Sequence, residues 1–167
     1  MATIQIPLGT GMPDASGDVH PSTLASELSL TNSKLTPVMV MEYPTGSDIG
    51  VELQFVVPQN YANSPVLVIK GVLDGTPANV LAFGVQQLSR ADSESVDTAY
   101  ESEDLANNST WTGYADEDMY EETITLTPTS AYVPGDTVFM KVYRDDSVDT
   151  TTFNFLLTDL IFQYSDS

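Results

Sequence analysis

The sequence predicts an all-β fold: an antiparallel β-sandwich, jelly-roll-like, of about seven or eight strands with an extended N-terminal arm. Three observations predict it. Several short runs alternate apolar and polar residues with a period of two. The gaps between these runs are filled with Pro, Gly, Asn, Asp and Ser, the residues that preset or tolerate turn dihedrals. No stretch of ten or more residues carries apolar positions at helical spacing with caps at both ends.

Taken in order, residues 1–37 read as the arm. Pro7, Gly9, Gly11, Pro13, Gly17, Pro21 and Pro37 interrupt regular structure, and residues 3–8 have the length to add as an edge strand. Residues 22–30 (STLASELSL) are the best helical candidate, with Ser22 as cap and Leu24 and Leu28 four apart; they could equally be extended. Residues 38–167 form the single sandwich domain. Its strands are expected at 38–43 (VMVMEY), 51–57 (VELQFVV), 66–73, 80–88, 123–127 (TITLT), 137–143 (TVFMKVY) and 153–164 (FNFLLTDLIFQY). Turns are expected at 58–60, 63–65, 74–77 and 134–136. In the last run Phe153, Phe155 and Leu157 share one phase, and Leu160, Phe162 and Tyr164 share the other. That change near Thr158 and Asp159 predicts a bulge or bend. Residues 92–122 hold 11 of the 24 acids together with Trp111, Tyr114 and Tyr120, and read as one long acidic loop.

Length and composition support one domain with a real core. The chain has 167 residues, of which 43 are Leu, Ile, Val or Phe, well above the level of a disordered polyanion. Against 24 Asp and Glu stand five Lys and Arg, a formal net charge of −19. Phosphate backbones and anionic bilayers repel such a chain, so neither nucleic acid nor a membrane surface is expected as partner. The absence of Cys removes disulfides, thiolate zinc sites and thiol nucleophiles. The opening MATIQIPLGTGMPD has no basic, then apolar, leader pattern, and no apolar run nears bilayer-spanning length, so synthesis in the cytoplasm is expected.

No catalytic constellation stands out, and no enzyme is expected. A Ser-His-Asp triad would have to use His20, the one histidine, which lies in the Pro/Gly-rich arm, and there is no G-x-S-x-G elbow. One His cannot build a zinc centre. The acid groups at 92–94, 116–118 and 145–149 offer hard oxygens for calcium, but none has the spacing of a calcium loop, so no metal is assigned. Paired carboxylates for glycoside cleavage would need burial, whereas the acids of 92–122 read as a solvated face. No phosphate-cradling or dinucleotide motif is present, and no cofactor is implied. Trp111, Tyr114 and Tyr120 could stack on a sugar ring, or could equally anchor the long loop by packing. What remains is assembly. Ile4, Ile6, Leu8, Leu24, Leu28 and Leu30 give the arm apolar contacts for a partner; the alternative is that they cover the domain's own sheet edge.

A resemblance gathers these features. The opening MATIQIPL, the pattern Phe55, Val57, Pro58, Tyr61, Pro65, Val66, Leu67, the turn Pro134-Gly135-Asp136, and the run Val142-Tyr143-Arg144-Asp145 followed by Asp149-Thr150 stand in order along most of the chain. In these it resembles the small acidic virion structural proteins of tailed bacteriophages. The resemblance implies a β-sandwich without enzymatic activity, most plausibly a head decoration (cement) protein on the capsid exterior. Such proteins are often trimers, seated on the major capsid protein with arms reaching adjacent capsomers. The pattern is also compatible with a tail or fibre module that binds host-surface glycans through Trp111, Tyr114 and Tyr120. The charge fits the outer surface, since packaged DNA would repel it. Only three acids lie in residues 1–37 against 11 in 92–122, so an acidic outer face and a docking side near the arm are expected.

Overall fold

The alternation of apolar and polar residues resolves into strands in a computed structural model that describes residues 1–6, 12–13, 41–43, 49–101 and 103–167. The strands are β1 (Ala2–Ile6), β2 (Met12–Pro13), β3 (Met41–Tyr43), β4 (Ile49–Val56), β5 (Tyr61–Asp74), β6 (Leu81–Arg90), β7 (Asp104–Asn108), β8 (Met119–Thr125), β9 (Thr137–Arg144) and β10 (Asn154–Asp166). Among the described residues there is no helix. The candidate at residues 22–30 and His20 lie outside them.

All pairings are antiparallel. One sheet has the order β1-β10-β5-β8, and the other β4-β9-β6-β7. The short β3 adds to β10 beside β1, and β2 adds to the outer edge of β4. Every connection from β4 to β10 changes sheet except that between β6 and β7. This interleaving is the jelly roll. Pro13 sits in an edge strand, where its missing N–H removes no ladder bond that a central strand would need.

The core follows from the periods read in the sequence. Val51, Leu53 and Phe55 of β4 are buried while Glu52 and Gln54 are not. Facing them across the sandwich are Leu67, Ile69 and Leu73 of β5 with Phe155, Leu157, Leu160 and Phe162 of β10. The Phe55 and Phe162 rings meet at 4.7 Å, and those of Phe83 and Phe155 at 5.0 Å edge-on. Each such side chain contributes about 1.5–3 kcal/mol by leaving water. The expected phase change in the last strand is a bulge. Register against β5 slips between Leu157 and Asp159, which keeps both Leu157 and Leu160 inside.

Two expectations are corrected. Residues 63–65 do not form a turn between strands but a second irregularity inside β5. The step of three from Asn63 to Val66 faces a step of two on β10, from Ser165 to Gln163, and Ser64 takes a left-handed φ of 56°. Residues 92–122 are not one loop, because β7 and the start of β8 lie within them. The sequence of β7, DLANN, has no apolar alternation; among the described residues it pairs with β6 alone, Leu81 with Asn108 and Val85 with Asp104.

The pairings define two ends of the sandwich. At the termini end lie the start of β1, the end of β10, and the connections β4–β5 and β8–β9. At the far end lie the connections β5–β6, β7–β8 and β9–β10. The acid-rich stretch is therefore divided. Residues 91–101 leave β6 at the termini end, whereas residues 109–118 cap the far end.

Candidate functional site

The far end brings Trp111, Tyr114 and Tyr120 together. Trp111 and Tyr114 lie in the connection before β8, and Tyr120 is its second residue. Ring centroids are 5.4 Å apart for Trp111–Tyr120, 5.5 Å for Tyr114–Tyr120 and 6.1 Å for Trp111–Tyr114. Phe153, at the entry to β10, completes the cluster 5.5 Å from Trp111. At these separations the rings touch one another and leave no gap for a ligand between them. Tyr120 is buried, and its hydroxyl donates to Glu122. Burial, reinforced by that carboxylate, pushes its phenol well above the ordinary tyrosine range. Trp111 is half-buried, and Tyr114 is 40% exposed.

Hydrogen bonds fix this cluster. The Trp111 indole N–H donates to the Asn79 carbonyl at 2.8 Å, and the Gly75 N–H donates to Asp116 at 2.7 Å. The Glu117 N–H donates to the Leu73 carbonyl at 2.8 Å, the Thr150 N–H donates to the Val80 carbonyl at 2.8 Å, and the Val80 N–H donates to the Thr150 hydroxyl at 3.1 Å. All three far-end connections are thereby tied together. Chemically, the cluster is a stiff aromatic knob beside exposed acids, able to stack one ring on a flat apolar ligand face.

The arm candidates divide differently. Ile6 is buried in the core and Ile4 packs against it from β1, which pairs with β10 from Ala2↔Tyr164 to Ile6↔Leu160. Both side chains thus serve the domain's own sandwich. Leu8, Leu24, Leu28 and Leu30 lie outside the described residues.

Two buried polar clusters lie apart from the aromatic knob. In the first, Arg144, 1% exposed at the end of β9, donates through Nε and Nη2 to Asp149 at 2.7 and 2.9 Å. Its Nη1 donates to the Phe153 carbonyl at 2.9 Å, and Thr151 sits in hydrogen-bond contact. Asp149 also accepts the Ala82 and Thr151 amides at 3.1 and 2.9 Å. A lone arginine closing an apolar strand in a chain with five cations was the available clue. In the second, at the termini end, buried Gln87 donates to Asp104 at 3.0 Å and accepts from the Tyr132 hydroxyl. Asp104 further accepts the amide and hydroxyl of Thr127, and Glu101 accepts the amides of Thr129 and Ser130. Burial pushes the Tyr132 phenol well above its ordinary range. Among the described residues, every buried side-chain nitrogen and oxygen has a partner, and no group of three or more Asp, Glu or His is placed to hold a metal ion. The clusters satisfy themselves.

No family model and no curated protein matches the chain. Among solved structures, it is similar to the CBM36-1 domain of a multidomain xylanase from the hindgut metagenome of Trinervitermes trinervoides. That match has 8% identity over 99% of this chain and 100% of that one, with a TM-score of 0.50. It also aligns with the K3 cleaved adhesin domain of Lys-gingipain from Porphyromonas gingivalis, at 15% identity over 98% and 100% with a TM-score of 0.47. A third alignment covers all of this chain and 28% of the Agl-KA catalytic domain, at 11% identity and a TM-score of 0.48. What the chain shares with the CBM36-1 domain is the fold, an antiparallel β-sandwich.

Proposed function

We propose that the protein is a non-enzymatic structural component of a tailed-phage virion, a head decoration protein that binds the major capsid protein from outside as a homotrimer. The observation that supports this best is where the residues of the resemblance fall. The opening residues form edge strand β1, and the Phe55 to Leu67 pattern builds the β4–β5 connection and its core. The Arg144 to Thr150 pattern makes the buried Arg144–Asp149 knot. The shared pattern thus specifies a scaffold, as expected of a protein whose task is to hold a shape between neighbours. A clip contacting several capsomers stabilises a shell by multivalency, each weak contact raising the effective concentration of the next. The test is to add purified protein to expanded heads lacking it. Co-sedimentation and a higher head-disruption temperature are expected; no binding, together with absence from purified heads, overturns the reading.

A second reading, a tail or fibre module binding host-surface glycans, is favoured by one observation: Tyr114 stands 40% exposed on a rigid aromatic cluster at the far end. The fold likeness to the CBM36-1 domain is compatible with it. Glycan binding lost in Tyr114→Ala supports this reading, and an array without a single bound sugar removes it.

A further inference from the structure

We propose that the docking surface of this protein is the termini end of the sandwich, and that it takes a protein surface combining an apolar patch with a basic rim. The proposal rests on the virion reading for the identity of that partner, but its geometry is independent of it. Among the described residues seven large apolar side chains are strongly exposed, and four of them lie on segments at this end: Met1, Val56 at 58%, Val96 at 61% and Val133 at 54%. Val56 ends β4 and Val133 lies in the connection from β8 to β9. The two segments are stitched by Val57 N–H to Asp136 O at 2.8 Å and Gly135 N–H to Val57 O at 3.0 Å. Concentrated apolar exposure on a folded surface marks contact sites more often than scattered single residues do.

The surface is also stiff. Tyr132, next to Val133, turns inward, hydrogen-bonds Gln87 and packs its ring 5.9 Å from Tyr61 and 5.8 Å from Phe162. Asp104 and Glu101 hold the segment leading to it through the amides of Thr127, Thr129 and Ser130. Val133 therefore points out from a connection whose ordering cost was met on folding, which favours tight contact.

Charge selects the partner. Asp92, Glu94 and Asp97 are exposed on the segment that carries Val96, while the guanidinium of Arg90 is committed to Ser95 O and Thr98. A second copy presenting the same face would bring like charges together in a chain of net charge −19. A basic rim is complementary, and steers association.

The experiment uses the full chain, with Val56→Asp and Val133→Asp at the termini end and Leu105→Asp and Tyr114→Ala elsewhere. Circular dichroism and melting first confirm that each variant folds. Titrated onto expanded heads, the two valine variants are expected to bind about tenfold or more weaker, and the other two within about twofold. Capture by wild type should weaken as salt rises from about 0.05 to about 0.5 M. If wild type and all four variants bind heads equally, the surface assignment is overturned and the decoration reading stands. If wild type binds no heads, the decoration reading falls. A photo-crosslinker at position 133 in purified virions then decides the surface: a crosslink to a basic, apolar face of another virion protein sustains it, and none overturns it. Sedimentation velocity closes the remaining route, since dissociation of an oligomer by Val133→Asp reassigns the face to a second copy and overturns the stated partner.

Discussion

Asp149→Ala tests how the Arg144 knot holds the far end together. The carboxylate accepts two guanidinium N–H bonds at 2.7 and 2.9 Å, two backbone amides at 3.1 and 2.9 Å, and the Thr151 hydroxyl at 2.8 Å. Side-chain exposure is 1% for Arg144 and 4% for Asp149, so water cannot replace the lost acceptor. Removing one partner of a buried pair strands the other charge and costs about 3–5 kcal/mol. At this chain length each kcal/mol moves the melting temperature about 2–4 °C, so a fall of about 6–20 °C is expected by calorimetry or circular dichroism. Asp97→Ala, an exposed acid, should stay within about 0.5 kcal/mol of wild type. Combining Asp149→Ala with Arg144→Met should recover part of the loss, because no stranded charge then remains, although the Ala82 and Thr151 amides still lack their acceptor. A single-variant shift below about 2 °C would refute the idea that this pair is structurally essential.

Three further outcomes are expected. Gly71→Ala should lower stability by about 1–3 kcal/mol in denaturant titrations, because a Cβ there would run into the Phe155 ring and come within 2.5 Å of the Leu156 carbonyl. Tyr120 and Tyr132 have phenols raised by burial above the ordinary tyrosine value of 10.0, so the native state keeps protons that the unfolded chain gives up. Their stabilising contribution is full below pH 10 and declines above it; alkaline melts should fall there, and phenolate absorbance from these two rings should appear only with unfolding. Trp111→Ala should cost about 3–5 kcal/mol less whatever the half-exposed site recovers by collapsing, whereas Tyr114→Ala should be nearly neutral in the same melts. Equal effects of the two would contradict their different burial.

The layout of the sheets was legible because burial on one face imposes a period of two, and β4, β9 and β10 obey it with few exceptions. Even the bulge of β10 was written in a phase change, since Leu157 and Leu160 can both face inward only if one residue is looped out. Strand β7 left no such trace. DLANN sits at an edge and joins through its backbone, and backbone bonds do not depend on side-chain pattern. The two polar clusters were hidden for a related reason. Composition shows Arg144, Asp149, Gln87 and Asp104 as four polar residues among many, and only the fold reveals which ones are enclosed. Of the aromatic candidates, the sequence showed that Trp111, Tyr114 and Tyr120 were neighbours along the chain. It could not show that Phe153, more than 30 residues away, completes their cluster.

The position of β10 sets an order of events in synthesis. This strand lies between β1 and β5, so β1 leaves the ribosome about 150 residues ahead of its ladder partner. Until residues 154–166 emerge, β1 has no ladder neighbour among the described residues and the apolar edge of β5 stands open. Topologies dominated by such distant pairings fold slowly and expose sticky edges while they wait. A nascent or truncated chain ending before β10 should therefore be a species for chaperones or proteases. The quantity of folded protein a cell obtains should depend more on completing the thirteen-residue β10 than on any single side chain in it.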